Sequence, residues 1–306
     1  MAKQRPTATE ELSLENEPGD EAVADSAVRK EYGYSLEDDV EFPNKREREK
    51  AEEEDNLIED EEEDDFGLWS ADTAEDTGLK ALLYGPTGGG KTWLAGTFPK
   101  PVFLDMEKGL RTLFQLRPVL RYPRDPKREI QTLDEVRDFY KLCRKQSKME
   151  NPAIETVVLD SLNEMYHLCV GEVLGAYSAN RQYDDQLTMA DYGKVNRLFI
   201  GITRSFLKLP FHVVMTAVEM PREYEGQETY PKFPGKQIWP ELQRMVDQIG
   251  YVHVRKGEGG QPEHVVSFRL SPSYVAKDRL GIKVPYIPNN FEAILAAVPA
   301  GMVKRT

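Results

Sequence analysis

The chain has 306 residues and a formal net charge of −13, but residues 1–77 hold 28 Asp and Glu against 8 Lys and Arg, a net of −20, which leaves +7 on residues 78–306. A segment so acidic and so poor in apolar residues cannot bury enough surface to offset its ordering entropy, so 1–77 is predicted to be a largely disordered tail ahead of one α/β domain, 78–306, large enough for a real core. The sequence has no run of about 18 apolar residues, which excludes a helical membrane span, and Met-Ala-Lys-Gln-Arg-Pro at the start lacks the apolar centre of a secretory signal, so an intracellular protein is expected.

Within 78–306, Leu79–Tyr84 is predicted as a short buried strand and Trp93–Phe98 as the first turns of a helix. Pro101–Asp105 follows as a strand, then a basic, Pro-punctuated connection from Arg117 to Arg128. Leu133–Ser147 has helical periodicity with Thr132 or Asp134 near its cap. Thr156–Asp160 is a near-continuous apolar run ending in an acid, as a central parallel strand requires. Ser161–Tyr177 is amphipathic and helical, and a polar loop leads to a long helix over Met189–Leu207. Pro210–Thr216 is a strand, and Glu219–Lys236 is irregular, rich in Pro, Gly, Tyr and charge. Gln248–Arg255 and His264–Leu270 flank a Gly-rich turn at 257–260 and predict a hairpin. Phe291–Ala297 is a last helix. Strands alternating with helices, then antiparallel strands, give an α/β fold: a mainly parallel sheet flanked by helices, with antiparallel C-terminal strands. Cys143 and Cys169 fall in apolar helical patterns and read as buried thiols. The four histidines show no metal-ligand spacing, so no zinc site is expected.

Gly85, Pro86, Thr87, Gly88, Gly89, Gly90, Lys91 and Thr92 fit G-x-x-x-x-G-K-[ST], between a predicted strand and a predicted helix, and so resemble the phosphate-binding loop of P-loop NTPases. Glycines let backbone N–H groups curl around phosphate oxygens, and a helix N-terminus adds donors and dipole. Lys91 is expected to reach the β- and γ-phosphates of ATP, and Thr92 to ligate Mg²⁺. Asp160, at the end of its strand, has the position of the second metal-holding acid; the plainer reading is a strand-end Asp capping the next helix. Ser161 follows it, where helicases and AAA-type ATPases place a catalytic Glu, which argues against both of those groups.

Phe103-Leu-Asp-Met-Glu107 resembles the end of the second strand in the RecA/recombinase group, and Val157-Val-Leu-Asp160-Ser-Leu resembles their metal-acid strand. That resemblance implies a RecA-like P-loop NTPase core in which Glu107 polarises the attacking water. Tyr192-Gly-Lys-Val, Leu209–Glu219 and Pro234-Gly-Lys236 are similar to compact RecA-like ATPases of tailed phages, of the recombination and single-strand annealing type. RecA's glutamine just after the strand corresponding to His212–Thr216 is replaced here by Thr216-Ala217, which leaves Thr216 or Glu219 for its role. Ala276-Lys277-Asp-Arg279-Leu-Gly281 resembles an element whose basic pair reaches a neighbouring subunit's γ-phosphate. The resemblance thus gives Lys277 and Arg279 a catalytic role in a homo-oligomer with ATP at subunit interfaces, against the plain alternative of a solvated basic turn.

In that family two loops line the DNA path. The matching residues here are Arg181 and Tyr183 in the first, and Arg222, Tyr224, Tyr230, Lys232, Phe233 and Lys236 in the second. Basic groups interleaved with aromatics suit a sequence-tolerant single-stranded DNA site, although both loops also carry acids. The expected function is an ATPase stimulated by single-stranded DNA, acting in recombination, annealing or replication. A hexameric DNA motor or packaging ATPase is one alternative. A nucleotide-gated protein whose acidic tail grips a basic partner is another; that tail can instead fold back on the basic core, and resemblance to filament-forming recombinases implies Phe66 or Trp69 docking on the neighbouring core, against the plainer reading of a solubilising tail whose last turn packs on its own domain.

Overall fold

A computed structural model describes residues 78–113, 119–125, 127–175, 187–220, 227–234, 237–257 and 259–299. The chain divides into two units, Met1–Glu59 and Asp60–Thr306, and every described residue lies in the second. Its elements in order are β1 (Lys80–Gly85), α1 (Lys91–Gly96), β2 (Pro101–Asp105), β3 (Leu120–Tyr122), α2 (Leu133–Ser147), β4 (Thr156–Asp160), α3 (Leu162–Leu174), α4 (Met189–Leu207), β5 (His212–Val218), α5 (Ile238–Met245), β6 (Gln248–Lys256), β7 (Pro262–Ser267), β8 (Ile287–Pro288) and α6 (Phe291–Ala297). One sheet holds the strands in the order β3-β2-β4-β5-β1-β6-β7-β8. Strands β3 to β6 in that order pair in parallel, and β6-β7 and β7-β8 are antiparallel. This is an α/β fold, a parallel centre with antiparallel C-terminal strands.

The central strands are buried along their whole length because both faces are covered, which is why they read as apolar runs without alternation. The period of two still decides which layer each residue joins. Leu82, Tyr84, Val102, Leu104, Val157, Leu159, Val213 and Met215 pack with Phe139 of α2, Met165 of α3 and Phe199 of α4. Their neighbours Leu83, Phe103, Val158 and Val214 face the other way, onto Leu94, Phe98, Phe291 and Ile294.

Local chemistry sets the helix ends. Thr132 caps α2 in a reciprocal capping box with Glu135, and Thr188 does the same for α4 with Asp191. Helix α3 stops at Gly175, whose φ of 63° is left-handed, two residues short of the Tyr177 expected from periodicity. Helix α5 contains Pro240 in its first turn, where the missing N–H costs no helical bond. No helix among the described residues is long and apolar enough to cross a membrane. Cys143 and Cys169 are buried and unbridged.

At the start of β1, Lys80 is buried, and its ammonium donates to the carbonyl oxygens of Leu209 (2.7 Å) and Phe211 (2.6 Å). Burial pulls its pKa down to about 8, against the attraction of Asp247. A folded-state value below the unfolded one means that the unfolded chain binds more protons between about pH 8 and 10.5, so this group's contribution to stability rises across that window. Lys80→Met should remove a rise of up to about 3 kcal/mol, one pKa unit being about 1.4 kcal/mol. Chemical denaturation of both proteins at several alkaline pH values checks this; parallel pH curves would refute it.

Candidate nucleotide site

The carboxyl ends of the parallel strands gather the motif residues. Gly85 of β1 pairs with Val218 of β5, and Asp105 of β2 pairs with Asp160 of β4. Because β5 lies between β1 and β4, the phosphate loop starts two strands, roughly 10 Å, from Asp160. The loop returns into α1, and Thr92 at its base spans the gap: its hydroxyl donates to Asp160 Oδ2 at 2.9 Å. From β5, the buried Thr216 hydroxyl donates to the other oxygen, Oδ1. Burial holds the Asp160 carboxyl above the ordinary carboxylate range, and the two threonine hydrogen bonds oppose that rise. The Asp160–Ser161 peptide is cis, and the Ser161 hydroxyl donates to Glu107 Oε1. Glu107 is exposed, just past the end of β2. Ser161 also caps α3 through the N–H of Glu164, so the capping expected as the plain role of Asp160 belongs to its neighbour.

Lys91 folds back over its own loop and donates to the carbonyls of Gly85 (3.0 Å) and Pro86 (2.9 Å). Burial lowers its pKa, against the pull of Asp160, Glu107 and Glu219. Glu219, one residue beyond β5, has a buried Oε2 with no hydrogen-bond partner among the described residues. Of the two stand-ins for RecA's glutamine, Thr216 is therefore committed to Asp160, whereas Glu219 faces the field of Lys91.

The loop glycines are required by backbone conformation at two positions above all. Gly85 has φ 152°, and a Cβ there would lie 2.0 Å from the Val252 carbonyl oxygen; Gly90 has φ 101°, and its Cβ would lie 2.6 Å from Asn289 Nδ2. Asn289 donates to the Gly90 carbonyl at 2.9 Å and His264 Nδ1 contacts the Gly89 carbonyl at 3.0 Å. These two residues, from just after β8 and from β7, hold the Gly89 and Gly90 carbonyls of the loop. Neither Asn289 nor His264 belongs to a local motif; only the antiparallel margin brings them to the loop. Asn163 is a third group without a motif: its side chain accepts from Val218 N (2.9 Å) and donates to Lys232 O (2.7 Å), tying α3 to the segment after β5.

The residues present fit a nucleoside triphosphate with Mg²⁺. An added Cβ at Gly88 would meet nothing within 4 Å, so the loop crest is open. A lysine, a threonine hydroxyl and a buried carboxylate converge beneath it.

The other predicted residues are dispersed. Lys277 pairs with Ile249 in an antiparallel bridge, and Ile249 lies beside Leu82, so this pair sits about 10 Å of strand below Gly85, at the opposite end of β1. Its ammonium donates to the carbonyls of Gln243 and Val246, both at 2.6 Å, and Arg279 pairs with Asp247 at 3.2 Å. Neither faces its own phosphate loop. Tyr230 is half-buried and Lys232 exposed, on a strand-like return beside Val218 and Met220. Phe233 is a correction to the expected base-stacking set: it is 7 % exposed and packs on Phe199 at 5.8 Å between ring centres, so its face is occupied by the core. Arg181, Tyr183, Arg222, Tyr224 and Lys236 lie outside the described residues.

The family model described as an AAA domain matches residues 77–280. No curated protein matches the chain. A KaiC-like protein from the hyperthermophilic archaeon Pyrococcus horikoshii is similar in structure over 69% of this chain and 84% of that chain, at 13% identity and a TM-score of 0.40.

Asn289→Ala should weaken binding of a non-hydrolysable ATP analogue by about fivefold to tenfold, the equivalent of one lost hydrogen bond of about 1–1.5 kcal/mol. Titration calorimetry reads it, and unchanged affinity would remove Asn289 from the loop's support. Gly85→Ala should instead lower thermal stability, because the Val252 carbonyl is backbone and cannot step aside.

Proposed function

Because the chain belongs to the AAA domain family, we propose that it is an ATPase that binds single-stranded DNA and acts in recombination, annealing or replication, as an oligomer with ATP sites between subunits. The observation that carries the ATPase reading is the convergence of Thr92, Lys91 and Asp160 at one strand end, with Ser161 holding Glu107 beside them. Lys91 and the loop N–H groups hold the phosphates, and Thr92 and Asp160 hold the metal. Bound Mg²⁺ neutralises charge on the phosphate oxygens. Glu107, its carboxylate oriented by Ser161, accepts a proton from water aligned with the terminal phosphate. Asp160 stays ionised when a cation stands beside it, which offsets the burial that otherwise raises its pKa.

Support for the DNA reading is positional. The described part of the second loop, with Lys232 exposed, leaves β5 next to the strand bearing the phosphate loop, and Asn163 joins it to the residues following Asp160. A change at the phosphates therefore has a short path of hydrogen bonds to that loop. The position of Lys277 and Arg279 at the far end of β1 favours action on a neighbouring subunit, since neither faces the phosphate loop of its own chain.

Steady-state ATP hydrolysis with and without single-stranded DNA, at low and moderate salt, tests the reading. Stimulation that fades as salt rises is expected. Turnover indifferent to DNA would sink the DNA role and move weight to a nucleotide-gated partner switch. Glu107→Gln should abolish turnover while sparing nucleotide binding; undiminished turnover would remove Glu107 from the mechanism. Chains carrying Lys91→Ala and chains carrying Lys277→Ala/Arg279→Ala should each be inactive alone, and a mixture should regain part of the activity. Failure of the mixture to regain any would contradict action between subunits.

A further inference from the structure

At the end of the sheet opposite the phosphate loop, α5, the start of β6 and the segment 270–279 enclose a shallow groove of about 690 Å³. Its accessible apolar surface is Val275, half-buried, and Leu270, 76 % exposed, with Ile249 buried beneath them. Every charged residue lining it is a cation: Arg244, Lys277 and Arg279. Glu241 and Asp247 lie behind two of these, paired with Arg244 and Arg279, and offset part of the charge. Lys277 still has its pKa lowered by burial and by Arg279, a sign that positive charge is crowded there. An apolar floor with a cationic rim fits a segment that carries aromatics next to acids.

Of the tail's acidic stretches that carry aromatics, one lies next to the domain. Asp60-Glu61-Glu62-Glu63-Asp64-Asp65 runs directly into Phe66-Gly67-Leu68-Trp69. The described domain begins at Gly78, immediately before β1, at the same end of the sheet as the groove. Asp247 marks the proximity: its Oδ2 accepts from the Lys80 backbone N–H at 3.1 Å, and its Oδ1 from Arg279 at 3.2 Å. The eight residues between Trp69 and Gly78 span up to roughly 30 Å when extended, ample for that distance.

We infer that Asp60–Trp69 docks in this groove of its own chain, Phe66 and Trp69 against Val275 and Leu270, with the acids over Lys277 and Arg279. The tail then covers the basic pair. The docking stands on the groove, the charge and the point of chain entry; its consequence for turnover rests on the proposed role of that pair between subunits. Docking in cis holds the pair masked in a dilute chain and makes assembly compete with the tail.

The test uses the full-length chain with p-benzoylphenylalanine in place of Phe66, irradiated as an equal mixture of unlabelled and ¹⁵N-labelled protein, with the joined peptides identified by mass spectrometry. The expected result is a crosslink within one chain to peptides from 240–249 or 270–279, lost on Leu270→Glu. Crosslinks elsewhere, none at all, or pairs of mixed isotope only would overturn docking in cis. Acylation of Lys277 by a soluble N-hydroxysuccinimide ester should rise several-fold in Phe66→Ala/Trp69→Ala, and equal labelling in that variant and the parent would overturn the masking. Both readouts need no ATP hydrolysis, so an inactive protein would refute the ATPase reading and leave this one standing or falling by itself.

Discussion

The buried carboxylate of Asp160 is the constraint around which the rest of the site is arranged. A charged oxygen pair 2 % exposed at the centre of a sheet is tolerable only with donors on both oxygens or with a cation beside it. Thr92 and Thr216 supply the donors, one from the helix after the phosphate loop and one from the strand that separates that loop from β4. The three elements are thus fixed relative to one another through a single side chain. Donors alone leave the carboxyl above its ordinary range, so the arrangement is most comfortable with added positive charge. That preference for added positive charge fits the proposed metal-holding role of Asp160.

The same economy governs the loop. Its glycines free the backbone to turn its N–H groups inward, but freedom alone does not hold a conformation. Asn289 and His264 grip two of its carbonyls from the antiparallel margin, so that margin is functional as well as covering. Lys91 rests on the loop's own carbonyls, the nearest acceptors in reach. Phosphate oxygens are stronger acceptors for an ammonium than neutral carbonyls, so the same side chain can exchange partners without moving far.

Much of this was legible in the sequence, for a physical reason in each case. Strands β1, β2, β4 and β5 are apolar runs because both faces are covered, and α2 and α4 carry full capping signals, so their limits follow from periodicity and caps. The phosphate loop is a contiguous motif fixed by backbone geometry. What was illegible depends on distant parts of the chain. Strand β3 is three residues inside a Pro-rich basic connection, and its pairing with β2 outweighs its composition. Helix α5 was hidden by Pro240, which is harmless only because it lies in the first turn. Asn289, His264 and Asn163 gain their roles from tertiary placement alone. Phe233 was misassigned because an aromatic among basic residues has one appearance in sequence whether it faces solvent or, as here, Phe199.

The two ends of the sheet have separate chemistry, and this separation bears on how the chain can be controlled. The carboxyl ends gather Lys91, Thr92 and Asp160, the residues proposed to hold phosphate and metal. The amino ends hold Lys277 and Arg279, anchored to the carbonyls closing α5 and to Asp247. If the pair acts on a neighbour, association completes each site, and whatever competes for the amino-end surface sets the threshold for activity. An acidic segment tethered a few residues from that surface competes at an effective concentration fixed by its linker, independent of how much protein is present. Association between chains, in contrast, strengthens with concentration. If chains gather on a common polymer as proposed, the balance tips towards assembly, and salt weakens the inferred charge pairing of the tail along with the contact to that polymer.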